Sequence, residues 1–105
     1  MVQHLLLVPT QIELHWVDAR LPPAGDAHQV AVCGFGPLAA AARAAALIAQ
    51  WQPESVLLLG IAGGLQPSVQ IGTAYHFAQV ACYGVGAGSG GDFQTVEEMG
   101  WQHWS

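Results

Sequence analysis

Residues 55–64 read SVLLLGIAGG, a short apolar run followed directly by a turn that contains three glycines. An uninterrupted apolar run of this length is typical of a strand that a parallel sheet buries on both faces. Glycines after such a strand permit positive φ and let backbone N–H groups approach a ligand closely. The turn has neither the Lys-Ser/Thr of a P-loop nor the spacing of G-x-G-x-x-G, so a plain tight turn is as good an interpretation as a binding site.

Two more apolar runs of strand length precede this one, at residues 3–8 and 29–33. The first is stopped by a proline, and a helix then follows, with Thr10 and Glu13 forming a T-x-x-E capping box. The second leads into a turn at residues 34–37, which opens an alanine-rich helix. Strands that alternate with helices predict an α/β fold, with a mixed, mostly parallel sheet flanked by helices.

The rest of the chain carries weaker signals. Residues 71–83 predict a longer strand region, and the glycine-rich residues 84–91 predict a flexible segment. The tail, residues 92–105, is expected to form one helical turn or a lid. A chain of 105 residues is one domain at most.

The composition limits the possible partners. The chain is 52% hydrophobic and only 9% charged, so we expect some apolar surface to meet another chain or a further part of this one. Arg20 and Arg43 face seven acidic residues, for a net charge of -5. A nucleic-acid interface needs a basic stripe that two arginines cannot form, so no nucleic-acid partner is predicted.

Neither a membrane segment nor a cofactor is predicted. No signal peptide is recognisable and no apolar stretch approaches the ~20 residues that span a bilayer, so a cytoplasmic protein is expected. Cys33 and Cys82 form no C-x-x-C and are expected to be buried, reduced thiols. The five histidines lack metal-ligand spacing and are expected at the surface or partly buried.

Candidate site residues follow the predicted strands, because ligands of such sheets bind beyond the carboxyl ends of strands. Glu13 is the one carboxylate placed just past a strand end, and it could activate a water or hold a substrate hydroxyl. Its capping role is the alternative, and the residues alone leave both open. Phe35 is either an apolar wall for a ligand or an aromatic that packs the turn.

The ordered motifs as a set resemble the nucleoside phosphorylase and nucleosidase superfamily. They are L-V-P-T-x-x-E at residues 7–13, G-x-G-P-x-x-A-A at 34–41, G-I-A-G-G at 60–64 and Ile-Gly at 71–72. Tyr83-Gly84 and the tail at residues 91–101 are most similar to the futalosine hydrolases, which cleave an N-glycosidic bond in an alternative menaquinone pathway. No single motif is specific, but their order and spacing together are.

The resemblance implies a nucleoside substrate, no cofactor and no metal. Glu13 matches the glutamate that positions the attacking water. The substrate-binding residues implied around it are Thr10, Phe35, Ile61, Ala62 and Gly63. In the family, the turn that holds the last three approaches the water and the ribose, and the position of Phe35 lines the 5′ side of the pocket. The base leaves after protonation, and water captures an oxocarbenium-like ribosyl cation.

The resemblance also implies features that find no match. Residues 1–105 correspond to a single partial domain, a truncated phosphorylase/hydrolase-like fold without the C-terminal half of the family. That half carries the aspartate that protonates the base, and general acid catalysis is worth about 10²–10⁴-fold in rate. Thr73 and Val85 stand where acidic residues are expected. The phosphate-binding arginines of the phosphorylases are also unmatched, so phosphorolysis is disfavoured.

Three hypotheses follow. The chain is a hydrolase completed by further polypeptide, or a degenerate nucleoside-binding module, or a remnant stabilised by oligomerisation without a ligand. We prefer the hydrolase lineage, with a homo-oligomer or a complementing chain as partner. The isolated chain is expected to be weak or inactive.

Overall fold

The structure is a computed structural model that describes residues 1–25, 27–80 and 82–102. The chain divides into two compact units, Met1–Leu65 and Gln66–Ser105. Position 26, position 81 in the predicted strand region 71–83, and positions 103–105 of the tail lie outside the described residues. That residues 1–105 form one partial domain of the family remains a prediction.

The first unit is a parallel sheet flanked by two helices. Its elements in chain order are β1 (His4–Val8), α1 (Gln11–Asp18), β2 (His28–Val32), α2 (Pro37–Trp51) and β3 (Ser55–Leu58). The strand order is β2-β1-β3, and both pairings are parallel. The predicted α/β class, with a mostly parallel sheet and flanking helices, is therefore confirmed.

Local residues explain where the helices begin and end. Thr10 caps α1, because its hydroxyl accepts a hydrogen bond from the backbone N–H of Glu13. Pro37 opens α2, where a missing N–H costs nothing. Gln52 ends α2 in the left-handed region at φ 44°, and its N–H donates to the carbonyl of Ile48.

The core of this unit lies between the sheet and α2. Its buried members are Leu5, Leu7, Cys33 and Leu47, and Ala31, Ala40, Ala44 and Trp51 pack against them. Small alanine side chains on α2 let the helix lie close to the strands. Cys33 is a buried thiol as predicted, whereas Cys82 is exposed, so the prediction of a buried thiol is wrong there.

Truncating Leu5 tests this core. The Leu5 side chain is 0% exposed, so Leu5→Ala leaves a cavity and should lower the free energy of unfolding by about 2–5 kcal/mol. The matched control is Leu38→Ala, because the side chain of Leu38 is exposed and should contribute less than about 0.5 kcal/mol. Urea unfolding measures both, and equal losses in the two variants would contradict this description of the core.

β3 is an exposed strand. It pairs on one side with β1, and all four of its residues are exposed, with Leu58 the most exposed of the three apolar ones at 64%. The prediction that this strand is buried on both faces is therefore wrong for the described chain. α2 packs over the residues of β1 and β2 in the core, which leaves β3 outside that cover. The apolar run predicts the strand correctly but not its burial.

The second unit contains little regular structure. A two-stranded antiparallel ladder joins β4 (Gly86–Ala87) to β5 (Gln94–Thr95), with a short 3-10 helix at Gly90–Asp92 between them. Glycine is required in β4, because a Cβ at Gly86 would lie 2.0 Å from the carbonyl oxygen of Gln94. Part of the segment predicted to be flexible is thus paired.

The longer strand predicted at residues 71–83 is wrong: residues 71–80, 82 and 83 are not in a strand. Ile71, Phe77 and Val80 are exposed there. An apolar run becomes a strand only where a neighbouring strand pairs with its backbone N–H and C=O groups. In the described structure, no neighbouring strand pairs with these residues.

The tail forms one hydrogen-bonded turn, as predicted. The N–H of Met99 donates to the carbonyl of Thr95 at 3.1 Å. Thr95 and Glu98 form a reciprocal capping box: the Thr95 N–H donates to the Glu98 carboxylate at 2.8 Å, and the Glu98 N–H donates to the Thr95 hydroxyl at 3.2 Å. A role as a lid remains a prediction.

Among residues 1–25, 27–80 and 82–102, no helix combines the length and the apolar character needed to cross a bilayer.

Candidate functional site

The carboxyl ends of the three parallel strands meet at one edge of the sheet. A cavity of about 330 Å³ lies there. Its lining residues are Pro9, Glu13, Cys33, Gly34, Phe35, Gly36, Pro37, Ala40, Leu58 and Ile61. Each strand therefore contributes the segment that follows it, as expected for a ligand site of a parallel sheet.

Glu13 is the buried carboxylate of this cavity, with 7% of its surface exposed. Its Oε2 accepts a hydrogen bond from the Thr10 hydroxyl at 2.6 Å, and its Oε1 accepts one from the backbone N–H of Ile61 at 2.9 Å. The side chain thus joins the start of α1 to the turn after β3. A carboxylate has about four lone-pair sites, so two further hydrogen bonds can be accepted.

These hydrogen bonds keep Glu13 ionised. The Thr10 hydroxyl makes the largest contribution, and together with the Ile61 N–H it holds the pKa of Glu13 below its usual value, although burial acts in the opposite direction. A carboxylate with a lowered pKa is a weaker base and keeps its negative charge to a lower pH. The site therefore suits hydrogen bonding and electrostatic stabilisation of a cation better than proton abstraction.

Gly60 makes the approach of the Glu13 carboxylate to the turn possible. A Cβ at this position would lie 2.8 Å from Glu13 Oε1 and 3.4 Å from Pro9 Cδ. Any larger residue would push the carboxylate away from the Ile61 N–H. Glycine is thus favoured after β3 because the Glu13 side chain approaches the backbone of Gly60 closely, and not because Gly60 has a positive φ.

Removing the Thr10 hydroxyl should change stability in a pH-dependent way. Because folding lowers the pKa of Glu13, its stabilisation is complete above its unfolded-state pKa and is lost as pH falls through the lower folded-state pKa. Thr10→Ala should cost about 0.5–2 kcal/mol at pH 7 through the lost cap, and the cost should fall as the pH falls through the lowered folded-state pKa of Glu13. Urea unfolding between pH 7 and pH 3 measures this difference.

Thr10→Ser is the conservative control and should follow the wild-type pH profile, since it keeps the hydroxyl. A cost of Thr10→Ala that stays the same while Glu13 is titrated from its ionised to its protonated form would show that this hydroxyl does not lower the pKa of Glu13.

The turn after β2 forms the opposite wall. Gly34 and Gly36 have φ of 100° and 88°, a region that favours glycine. This backbone presents Phe35 with 84% of its surface exposed, so Phe35 does not belong to the core. Pro37 and the first turn of α2 complete the wall, so the positive end of that helix dipole faces the cavity.

The structure brings most of the predicted site residues together. Glu13, Phe35 and Ile61 line the cavity, and Thr10 bonds to Glu13. Ala62 and Gly63 continue the same turn but are exposed and are not among the lining residues.

Cys33 and Leu58 are among the lining residues that sequence reasoning did not single out. Both lie at the carboxyl ends of correctly predicted strands, which is the signal that could have identified them. Among the described residues, no group of three or more His, Cys, Asp or Glu side chains is placed to hold a metal ion.

The fold and the site together define an α/β protein with a small-ligand cavity at the carboxyl edge of its parallel sheet. The family model of the phosphorylase superfamily matches residues 24–98, and the chain belongs to that superfamily. No curated protein and no solved structure matched the chain. The resemblance to the superfamily is thereby confirmed, and membership supports the processing of nucleoside glycosidic bonds in general.

Proposed function

We propose that the chain is of the nucleoside N-ribosyl hydrolase lineage, similar to the futalosine hydrolases, and cleaves an N-glycosidic bond with water. The observation that carries this proposal is the buried, ionised Glu13 carboxylate in the wall of a nucleoside-sized cavity. Small-ligand cavities are typically about 300–1,000 Å³, and this one is about 330 Å³.

In the proposed reaction the bond from ribose C1′ to the base nitrogen breaks, and its electron pair leaves with the base. A water oxygen then bonds to C1′ and releases a proton. Glu13 accepts a hydrogen bond from this water with a free lone pair, and its negative charge stabilises the oxocarbenium-like transition state. Thr10 and Ile61 hold the carboxylate in place.

Water is favoured over phosphate as the acceptor by the positions of the two arginines. Arg20 donates to the backbone carbonyl of Trp16 at 2.8 Å and lies 5.9 Å from the centre of the Trp16 ring. Arg43 is exposed on α2, and neither arginine lines the cavity. A phosphate ion would therefore meet no guanidinium here.

Protonation of the leaving base calls for a second group. Among the residues that line the cavity, Glu13 is the one carboxylate, and it is ionised. We propose that a second copy or a complementing chain contributes the acid, and the exposed apolar residues of β3 support the presence of a partner. On this proposal the isolated chain hydrolyses its substrate slowly.

The test is base release by the purified chain from futalosine, with methylthioadenosine as the competing substrate. Release from futalosine without phosphate supports the proposal. Release that requires phosphate would identify a phosphorylase, and faster release from methylthioadenosine would reject the futalosine specificity. Light scattering of the same sample measures the oligomeric state.

The alternative is a non-catalytic nucleoside-binding or oligomeric remnant module. The two hydrogen bonds already accepted by Glu13 favour it, because they are also what a purely structural carboxylate would make. If futalosine raises the unfolding temperature but is not cleaved, the chain is a binding module. If futalosine is neither bound nor cleaved, the oligomeric remnant is the remaining interpretation.

A further inference from the structure

A second cavity lies at the amino-terminal edge of the same sheet. Its volume is about 530 Å³, and its lining residues are His4, Leu6, Leu21, Pro22, His28, Ser55, Val56 and Leu57. The distance from His4 to the end of β1 is about 13 Å, at about 3.3 Å per residue, and the Glu13 cavity begins beyond that end. The two cavities are therefore separate.

One rung of the sheet places three polar side chains in this cavity. His4 of β1 pairs with His28 of β2 and with Ser55 of β3. Directly paired residues of neighbouring strands point to the same face of a sheet, and the strands lie about 4.8 Å apart. The two imidazoles are thus neighbours on one face, with the Ser55 hydroxyl on the other side of His4.

His28 has an unused nitrogen. Its side chain is 92% buried, since 8% is exposed, and its Nε2 has no hydrogen-bond partner among the described residues. A buried polar atom without a partner destabilises the folded state, so such an atom calls for an explanation. An electron-pair acceptor bound at Nε2 would provide one.

His4 has the arrangement of a metal-ligating histidine. Its Nδ1 lies 2.7 Å from the Ser55 hydroxyl oxygen. In the tautomer in which Nδ1–H donates to that oxygen, the lone pair is on Nε2 and is free for a ligand. Histidines that bind metals almost always donate their other ring N–H to an acceptor that orients the ring, usually a carboxylate, a backbone carbonyl or water, and here the Ser55 hydroxyl oxygen takes that place.

We propose that His4 and His28 bind a divalent transition-metal ion through their Nε2 atoms, with Ser55 as the positioning residue. Two nitrogens that each lie about 2.0–2.1 Å from one ion are compatible with imidazoles on strands about 4.8 Å apart. Imidazole ligands suit Zn²⁺ and Cu²⁺, and water completes the coordination. The ion joins the amino ends of β1 and β2 and is independent of the proposed hydrolase activity.

The experiment titrates Zn²⁺ into the chelator-treated full chain in a calorimeter. We expect one ion per chain for the wild type and at least a 100-fold weaker affinity for His4→Gln and for His28→Gln. Ser55→Ala should weaken binding by about 10–100-fold, because it removes the group that orients His4. His15→Gln is the matched control, since His15 is exposed on α1, and it should bind as the wild type does.

Circular dichroism verifies that each variant folds. If His28→Gln does not fold, the test is made with His4→Gln, because His4 is exposed and its substitution should not disturb the fold. Electron paramagnetic resonance of the Cu²⁺-loaded chain should show two coordinated imidazole nitrogens. Absence of saturable Zn²⁺ binding by the wild type, or equal binding by His4→Gln, would overturn the proposal.

Discussion

Glu13→Gln is expected to lower the rate of base release from futalosine by about 10²–10³-fold, because it removes an electrostatic stabiliser of the transition state. Glutamine keeps the size of the side chain and an oxygen that can accept from the Ile61 N–H, so the fold should persist. It removes the negative charge that orients the water and stabilises the ribosyl cation. The measurement is base release at saturating substrate by variant and wild type.

Glu54→Gln is the matched control. Glu54 is an exposed carboxylate of the same unit, directly before β3 and therefore at the opposite end of that strand from Glu13. The Glu54→Gln variant should release base at the wild-type rate. Turnover that survives in Glu13→Gln would show that the carboxylate is structural, and wild-type protein without any turnover would exclude hydrolysis by the chain alone.

Gly60→Ala is expected to produce the second large effect, on stability and on the site together. The new Cβ would lie 2.8 Å from Glu13 Oε1, so the carboxylate must move and lose its hydrogen bond from Ile61. Because hydrogen bonds to charged groups are among the stronger ones, a urea midpoint below that of the wild type is expected at pH 7.

The control for this substitution is Gly63→Ala in the same turn. Nothing lies within 4 Å of a Cβ at Gly63, so this variant should unfold close to the wild-type midpoint. Base release should fall in Gly60→Ala and persist in Gly63→Ala. Equal stability of the two variants would mean that the approach of Glu13 to the turn contributes nothing.

Local patterns were sufficient for the first unit of the fold. Each of its three strands was visible as an apolar run, and each helix had its own start signal, Thr10 for α1 and Pro37 for α2. The parallel arrangement followed from the alternation of strands and helices. Because parallel strands end at one edge, the sequence also indicated that Glu13, Phe35 and Ile61 lie around one cavity, and they do.

The same patterns failed where the outcome depended on distant neighbours. Residues 71–83 are as apolar as a strand, yet the described part of this segment is not one, because no neighbouring strand accepts its hydrogen bonds. The prediction that β3 is buried was wrong for the same kind of reason. An apolar run indicates that a strand would be stabilised by burial, but it does not show whether another element covers it.

The sequence by itself therefore determined the class of fold, the order of the elements in the first unit, and three of the residues that line the cavity at the carboxyl edge of the sheet. These features depend on contacts between residues a few positions apart, or on the hydrophobic pattern within one segment. Only the tertiary structure decided that the Glu13 carboxylate bonds to Ile61, 48 residues away, and that Gly60 leaves room for it. It alone placed His4 beside His28, since cross-strand register depends on the packing of the whole sheet.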